Sequence, residues 1–271
     1  MKPETEQEYL LGVNQQELER LQFQHRVWKS VTDNFFDRLN VQRGWNCLDV
    51  GGGPGFVAMD LRERVGEKGS VTMLEPSQYY FEWFQRRVEE QQWTNVHAIQ
   101  GTAETAQLPK EQFDLIFVRW VLSFVPDPEL FILSLKKALK SGGRLAIQDY
   151  YYEGLSLYPP GAFNTVADIM RAYYRSKGGD AYIAGMIPSL FRKNNIRLLE
   201  LTPHCLAGGP DSDITEWAGQ FFTMHLPIMA EKGVLAREQC DAILADWREH
   251  RNSPDMLFIS PIVVDIAGVK S

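Results

Sequence analysis

Five short apolar runs follow one another between residues 45 and 149: WNCLDV (45–50), SVTMLE (70–75), NVHAIQ (95–100), FDLIFVRW (113–120) and RLAIQD (144–149). Runs of this length and richness read as strands buried on both faces. Helical patterns fill most of the gaps. Val57, Leu61 and Val65 recur at four-residue steps until Gly66, and Ser77 can cap a helix carrying Tyr80, Phe84 and Val88. Asp127-Pro128 opens another helix, which Gly142-Gly143 is expected to end. Strands alternating with helices predict a parallel sheet covered on both faces. Such a sheet binds ligands beyond the carboxyl ends of its strands.

The flanks extend this frame. Asn14 with Glu17 resembles a capping box, and Leu18, Leu21, His25, Trp28, Val31, Phe35 and Leu39 follow at helical spacing until Gly44. Beyond Tyr150, residues 162–177 and 181–194 read as helices around a Gly178-Gly179 break. Residues 194–206 read as a sixth strand. Residues 213–250 read as helical with breaks around Pro227 and Gly233. Residues 256–268 read as a last strand in which Pro261 favours an edge position or a bulge. Three regions result: a helical lid over 1–40, a ligand-binding core over 41–150, and substrate-side helices with the last two strands over 151–271.

Charge and cysteine usage exclude several classes. The 271 residues carry a net charge of −7 and no basic run, which argues against nucleic acid and against a membrane surface. No apolar run is long enough to span a bilayer. The N-terminal MKPETEQEYLLG is acidic and polar, unlike a signal peptide. Cys47, Cys205 and Cys240 are odd in number and far apart. Together these predict a cytoplasmic protein with no metal signature.

The glycine cluster LDVGGGPGF (48–56) lies at the end of the first strand, where a ligand is expected. A P-loop would need a Gly-Lys-Ser/Thr ending, which is missing. Gly53, Gly55 and Ala58 satisfy the looser dinucleotide spacing, so register alone leaves a nicotinamide cofactor open. A fuller match is acidic-x-Gly-x-Gly-x-Gly over Asp49, Gly51, Gly53 and Gly55. It resembles motif I of the class I S-adenosylmethionine-dependent methyltransferases. Three further stretches follow in the same order. Glu75 ends strand two, where a carboxylate can accept both ribose hydroxyls, with Pro76 beside it. GTAETAQLP (101–109) resembles the adenine-framing loop of the ubiquinone/menaquinone-biosynthesis-like methyltransferases, with one extra residue before Leu-Pro. FDLIFVRWVLSFVPDPE and SGGRLAIQD resemble that family's fourth strand and its fifth strand with the preceding turn. The resemblance covers residues 42–150.

That resemblance implies an α/β, Rossmann-like, doubly wound sheet of seven strands, mostly parallel with the last antiparallel. It implies S-adenosylmethionine as cofactor, and Thr102, Ala103 and Glu104 near the adenine. Thr102 stands where the family has an acid, so the Ala103 backbone is the firmer contact. Tyr9 from the lid is expected over the cofactor, with Gln24 and Trp28 as further cofactor contacts, and Arg119 and Trp120 after strand four are expected to border its methionine end. Arg119 has a structural alternative, pairing with Asp49 or Glu104.

The acceptor must come from elsewhere. No (D/N)PPY follows strand four, where the sequence reads VRWVLS, and no Pro-Cys pair serves pyrimidine chemistry. A metal-dependent catechol site would need clustered acids, but Arg119 and Trp120 stand opposite Asp149. A small, partly aromatic or apolar metabolite remains, with Asp149, Tyr150 and Tyr152 facing it and oxygen the first expectation for the attacking atom. Nitrogen, carbon and a non-catalytic cofactor-binding role are the alternatives. His25 and His225 are candidate general bases, each also readable as a packed core histidine. Residues 213–250 could lid the pocket or pair two copies, so a homodimer is one expected assembly.

Overall fold

In the computed structural model, residues 14–271 are described. The chain runs α1 (Gln15–Arg38), β1 (Asn46–Val50), α2 (Phe56–Val65), β2 (Ser70–Glu75), α3 (Gln78–Glu90), β3 (Val96–Gln100), β4 (Phe113–Arg119), α4 (Pro128–Ala138) and β5 (Leu139–Tyr151). It continues β6 (Ser156–Tyr158), α5 (Val166–Ser176), α6 (Ile183–Lys193), β7 (Ile196–His204), β8 (Ala207–Gly208), α7 (Asp213–Glu231), α8 (Arg237–Arg251), β9 (Leu257–Ile259) and β10 (Ile262–Lys270). The main sheet has seven strands in the order β3-β2-β1-β4-β5-β10-β7. Its parallel part follows from the βα alternation, and β10 pairs antiparallel with both β5 and β7.

Each face of the sheet buries its own apolar layer. Phe35 and Phe36 of α1, Val57 and Leu61 of α2 and Phe84 of α3 pack with Phe117 on one side. Residues of α4 and α6, among them Phe131, Ile132, Ile187 and Phe191, cover the other. A third, aromatic core joins Trp28 of α1 to α5, α7, α8 and a small sheet of β6, β9 and β8, around Phe163, Trp247 and Phe258. Thus α1 lies across both the sheet and the C-terminal helices. Its cap is half a capping box. Asn14 Oδ1 accepts from the Glu17 N–H at 2.9 Å, but the Glu17 carboxylate turns to Arg20 instead of back to the cap.

Three local expectations are corrected. First, α4 ends at Ala138, and Gly142-Gly143 lies inside the long strand β5, beside a register shift against β4. Second, α7 runs unbroken through Pro227. The missing N–H forfeits one helical bond, but buried Leu226 and Met229 anchor the helix on both sides of it. Third, residues 256–268 are not one strand. β9 joins the small sheet while β10 crosses into the interior of the main one, and Pro261 sits at the switch between them, where no ladder bond is required of it. The main sheet's edges are β3 and β7, and Leu198, Leu199 and Leu201 of β7 are exposed. Among the described residues no helix is long and apolar enough to cross a membrane.

Candidate active site

The glycine loop leaves β1 and enters α2 with Gly51, Gly53 and Gly55 all at positive φ. The three serve different neighbours. A β-carbon at Gly51 would fall 2.5 Å from Val121 Cγ2, and one at Gly55 2.1 Å from Phe84 Cδ2, so both glycines admit close packing within the protein. At Gly53 a β-carbon would meet nothing within 4 Å. The loop is therefore bare at Gly53, over open space at the strand end.

Glu75 holds this loop. One carboxylate oxygen accepts from the Gly53 N–H at 2.8 Å and the other from the Ser77 N–H at 2.9 Å. Each oxygen keeps a second lone pair, which is what a ribose diol would use. Burial raises its pKa. Pro76 follows at the exposed surface. In the 101–109 turn the Thr102 hydroxyl lies 3.0 Å from that of Thr105, Ala103 is buried, and Glu104 is exposed.

Asp49 is the charged group beneath the loop. It is buried, its Oδ2 has no hydrogen-bond partner among the described residues, and burial pushes its pKa up to about 7 against the pull of nearby Arg119. Arg119, the last residue of β4, is the matching cation. Its Nη1 donates to Thr32 Oγ1 at 3.1 Å and its Nη2 reaches His25 Nδ1 at 3.3 Å, while its guanidinium lies 4.8 Å from the Trp120 ring centre. Among the described residues no carboxylate oxygen lies within 4 Å of it, so the paired alternative with Asp49 or Glu104 is not realised as a contact. Burial lowers its pKa to about 10, so it stays cationic.

His25 bridges Arg119 to Asp60. An arginine can only donate, so Nδ1 is the acceptor and Nε2 carries the proton toward Asp60 Oδ2 at 3.2 Å. Burial lowers the His25 pKa. Any use of His25 as a base requires that its Nδ1 lone pair first leave Arg119. His225 is wholly buried on α7, where its Nδ1 donates to the Phe221 carbonyl at 2.8 Å and its Nε2 lies 3.7 Å from Glu17. Gln24 braces α1 to α7, accepting from Arg20 and from Trp217 Nε1 at 2.9 Å. Tyr9 lies outside the described residues.

The acceptor side is aromatic. Trp28 packs edge-on against Trp120 and Trp217, Trp120 stacks on Tyr150, and Tyr150 meets Tyr152. Beyond them a small cavity of about 30 Å³ is walled by Tyr150, Tyr152, Met170, Tyr174, Trp217, Ala218, Phe221, Phe222 and Pro261. Among the described residues, the buried indole N–H groups of Trp28 and Trp120 meet no hydrogen-bond acceptor. Asp149 has a different place. Wholly buried, it accepts from the Tyr150 and Ser123 backbone N–H groups and so ties the β4–α4 connection to β5. These two bonds give Asp149 an anchoring role between the two elements.

Sequence reasoning missed Asp60, Thr32, Gln148, Arg20 and the pairing of Glu17. The last was visible only as a capping signal, although Glu17 and Arg20 stand three apart on one helix face, a spacing at which opposite charges meet.

The site fits the expected cofactor on three counts: an open space over Gly53, an acid with spare lone pairs at the end of β2, and an unpaired carboxylate oxygen on Asp49 near an unpaired guanidinium. An amino acid carries both an ammonium and a carboxylate, and Asp49 with Arg119 offers the complementary charges.

Comparison with known proteins agrees. Residues 48–147 match the family described as Methyltransferase domain. The ubiquinone/menaquinone biosynthesis C-methyltransferase UbiE of Serratia proteamaculans is 31% identical over 127 residues, 46% of this chain and 49% of that protein. The chain spans about half to two thirds of the length of the curated relatives it matches. Among solved structures, a geranyl diphosphate methyltransferase in complex with SAM superposes with a TM-score of 0.57 at 13% identity, covering 91% of this chain and 87% of that one. The [4+2]-cyclase SpnF gives 0.57 at 16%, covering 89% and 80%. At such identities these likenesses show the fold.

Proposed function

We propose that the chain, whose residues 48–147 match a methyltransferase domain, is a class I S-adenosylmethionine-dependent methyltransferase that transfers the cofactor's methyl group to a small, partly aromatic or apolar metabolite. The observation that carries this reading is the pairing of complementary charges, Asp49 and Arg119, with the aromatic stack of Trp28, Trp120, Tyr150 and Tyr152 beside them. The cofactor supplies an activated methyl on a sulfonium. The protein's part is to bind, align and exclude water. Asp49, Arg119, Glu75 and the bare Gly53 would hold the cofactor. Trp28, Trp120, Tyr150 and Tyr152 would border the acceptor, the two free indole N–H groups offering donors to its oxygen. His25 serves here through Arg119, and proton removal from a hydroxyl acceptor falls to a group that the cavity or water presents.

The acceptor atom is oxygen in the first reading. Carbon is the second, favoured because the matched relatives are named C-methyltransferases. The Arg119 guanidinium beside Trp120 weighs against a cationic ammonium acceptor.

The test incubates the protein with S-adenosylmethionine labelled in the methyl group and a size-fractionated cell extract. Label is expected in the small-molecule fraction, and the carbon shift of the labelled methyl tells a methoxy product from a C-methyl one. Label confined to protein or nucleic acid, or none together with no binding of S-adenosylhomocysteine, would overturn the proposal.

A further inference from the structure

A row of polar side chains crosses the main sheet under the site, where apolar residues would be expected. Arg119 of β4 lies directly opposite Gln148 of β5, and Gln148 directly opposite Asp265 of β10. Thr32 of α1 lies over the row. Thr32, Gln148 and Asp265 are each 0% exposed. The bonds run without a gap. Arg119 Nη1 donates to Thr32 Oγ1 at 3.1 Å, Thr32 donates to Gln148 Oε1 at 2.9 Å, and Gln148 Nε2 donates to Asp265 Oδ1 at 2.6 Å. The far oxygen of Asp265 meets Arg38 and His204, each at 2.7 Å.

The direction of every bond is forced from one end. Salt-bridged Asp265 only accepts, so Gln148 must turn its amide nitrogen to it and its oxygen to Thr32. The Thr32 hydroxyl then donates to that oxygen, and its lone pairs are left facing Arg119. The second terminal nitrogen of Arg119 is fixed in the same sense by His25, itself backed by Asp60. Both Nη atoms are thus held by acceptors whose orientation ends on a carboxylate, and each Nη keeps a second N–H. Buried polar chains of this kind add little stability over apolar packing. Fully satisfied, they fix orientation.

Resting on the methyl-transfer reading, we propose that Thr32 and Gln148 are positioning residues: they set the Arg119 guanidinium so that its remaining N–H groups receive the carboxylate of the cofactor's amino-acid end. Neither residue touches the cofactor. They act through Arg119, and only on the part of the ligand that Arg119 meets.

The test compares two ligands by titration calorimetry. S-adenosylhomocysteine carries the amino-acid end; 5′-methylthioadenosine has the same nucleoside and thioether without it. In Thr32→Val and Gln148→Met, affinity for S-adenosylhomocysteine is expected to fall about tenfold, the loss of one charge-assisted bond, while affinity for methylthioadenosine stays within about twofold. Thr32→Ser, which keeps the hydroxyl, should restore the wild-type ratio. A role in folding alone would weaken both ligands together or neither. Either result overturns the proposal, as does an unchanged ratio, which would also result if Arg119 served the acceptor instead. Should Thr32→Val fail to fold, Gln148→Met and Thr32→Ser carry the comparison. A wild-type protein that binds methylthioadenosine no more weakly than S-adenosylhomocysteine would remove the role of Arg119 itself, and one that binds neither would remove the cofactor reading beneath it.

Discussion

Gly55→Ala is expected to destabilise the fold by about 2–5 kcal/mol, while Gly53→Ala leaves the fold largely intact and weakens cofactor binding at least about tenfold. The two glycines stand two residues apart in one motif, and both adopt left-handed backbone, with φ of 78° and 55°. That conformation alone costs a residue with a β-carbon about 1–2 kcal/mol. At Gly55 the new carbon would also lie 2.1 Å from Phe84, a wholly buried ring. Overpacking a rigid core adds about 1–3 kcal/mol. The two costs sum to about 2–5 kcal/mol, which for a chain of this size lowers Tm by roughly 4–20 °C. At Gly53 the new carbon meets nothing, so only the backbone cost remains. It would, however, project into the space assigned to the cofactor, and S-adenosylhomocysteine affinity should drop at least about tenfold. Thermal melts of both variants with a calorimetric titration of Gly53→Ala decide the matter. Unchanged ligand affinity in a folded Gly53→Ala protein would mean that the open space over this loop belongs to something else.

What the sequence made legible, and what it did not, follows from the range of the interactions. The βα alternation, the glycine loop and Glu75 are local or sequential signals, and each lies where its spacing predicts. Asp49 and Arg119 were legible as strand-end residues because strand order determines which ends converge. The role of His25 was not legible. Helical periodicity put it on the apolar face of α1, but its partners Asp60 and Arg119 come from α2 and β4, and no spacing rule joins three elements. The polar row through Gln148 and Asp265 was hidden for the same reason. IQD and VVDI read as strand interiors, and a buried Gln or Asp declares its purpose only once the opposite strand is known. Pro261 misled because a proline in an apolar run has two readings, an edge strand or a change of sheet, and only tertiary pairing separates them. Pro227 misled because propensity yields to the buried contacts on either side of it.

Affinity for S-adenosylhomocysteine is expected to rise about tenfold per pH unit as pH climbs toward 7, and to level off above it. Buried Asp49 titrates at about 7, desolvation being the main cause, with Arg119 opposing it and Glu75 and Asp60 adding to the rise. Below that pH the carboxyl is neutral and meets the ligand's ammonium only after giving up a proton, at about 1.4 kcal/mol per unit. Binding near pH 6 should therefore release a proton, visible as a dependence of the calorimetric heat on the buffer. Without ligand the sign reverses. A folded pKa above the unfolded 3.8 means that the native state holds the proton more tightly, so this group's contribution to stability is full below about 4 and declines until about 7. The gap between melting temperatures with and without ligand should accordingly widen from pH 5.5 to 7.5. Burial also shifts His25, lowering its pKa, so the Asp49 variant is what tells the two groups apart. Asp49→Asn should flatten the profile and hold affinity at or below the low-pH value of the wild type throughout. A wild-type affinity that is flat from pH 5.5 to 8 would separate Asp49 from the ligand's ammonium and leave Arg119 as the sole charge at the amino-acid end.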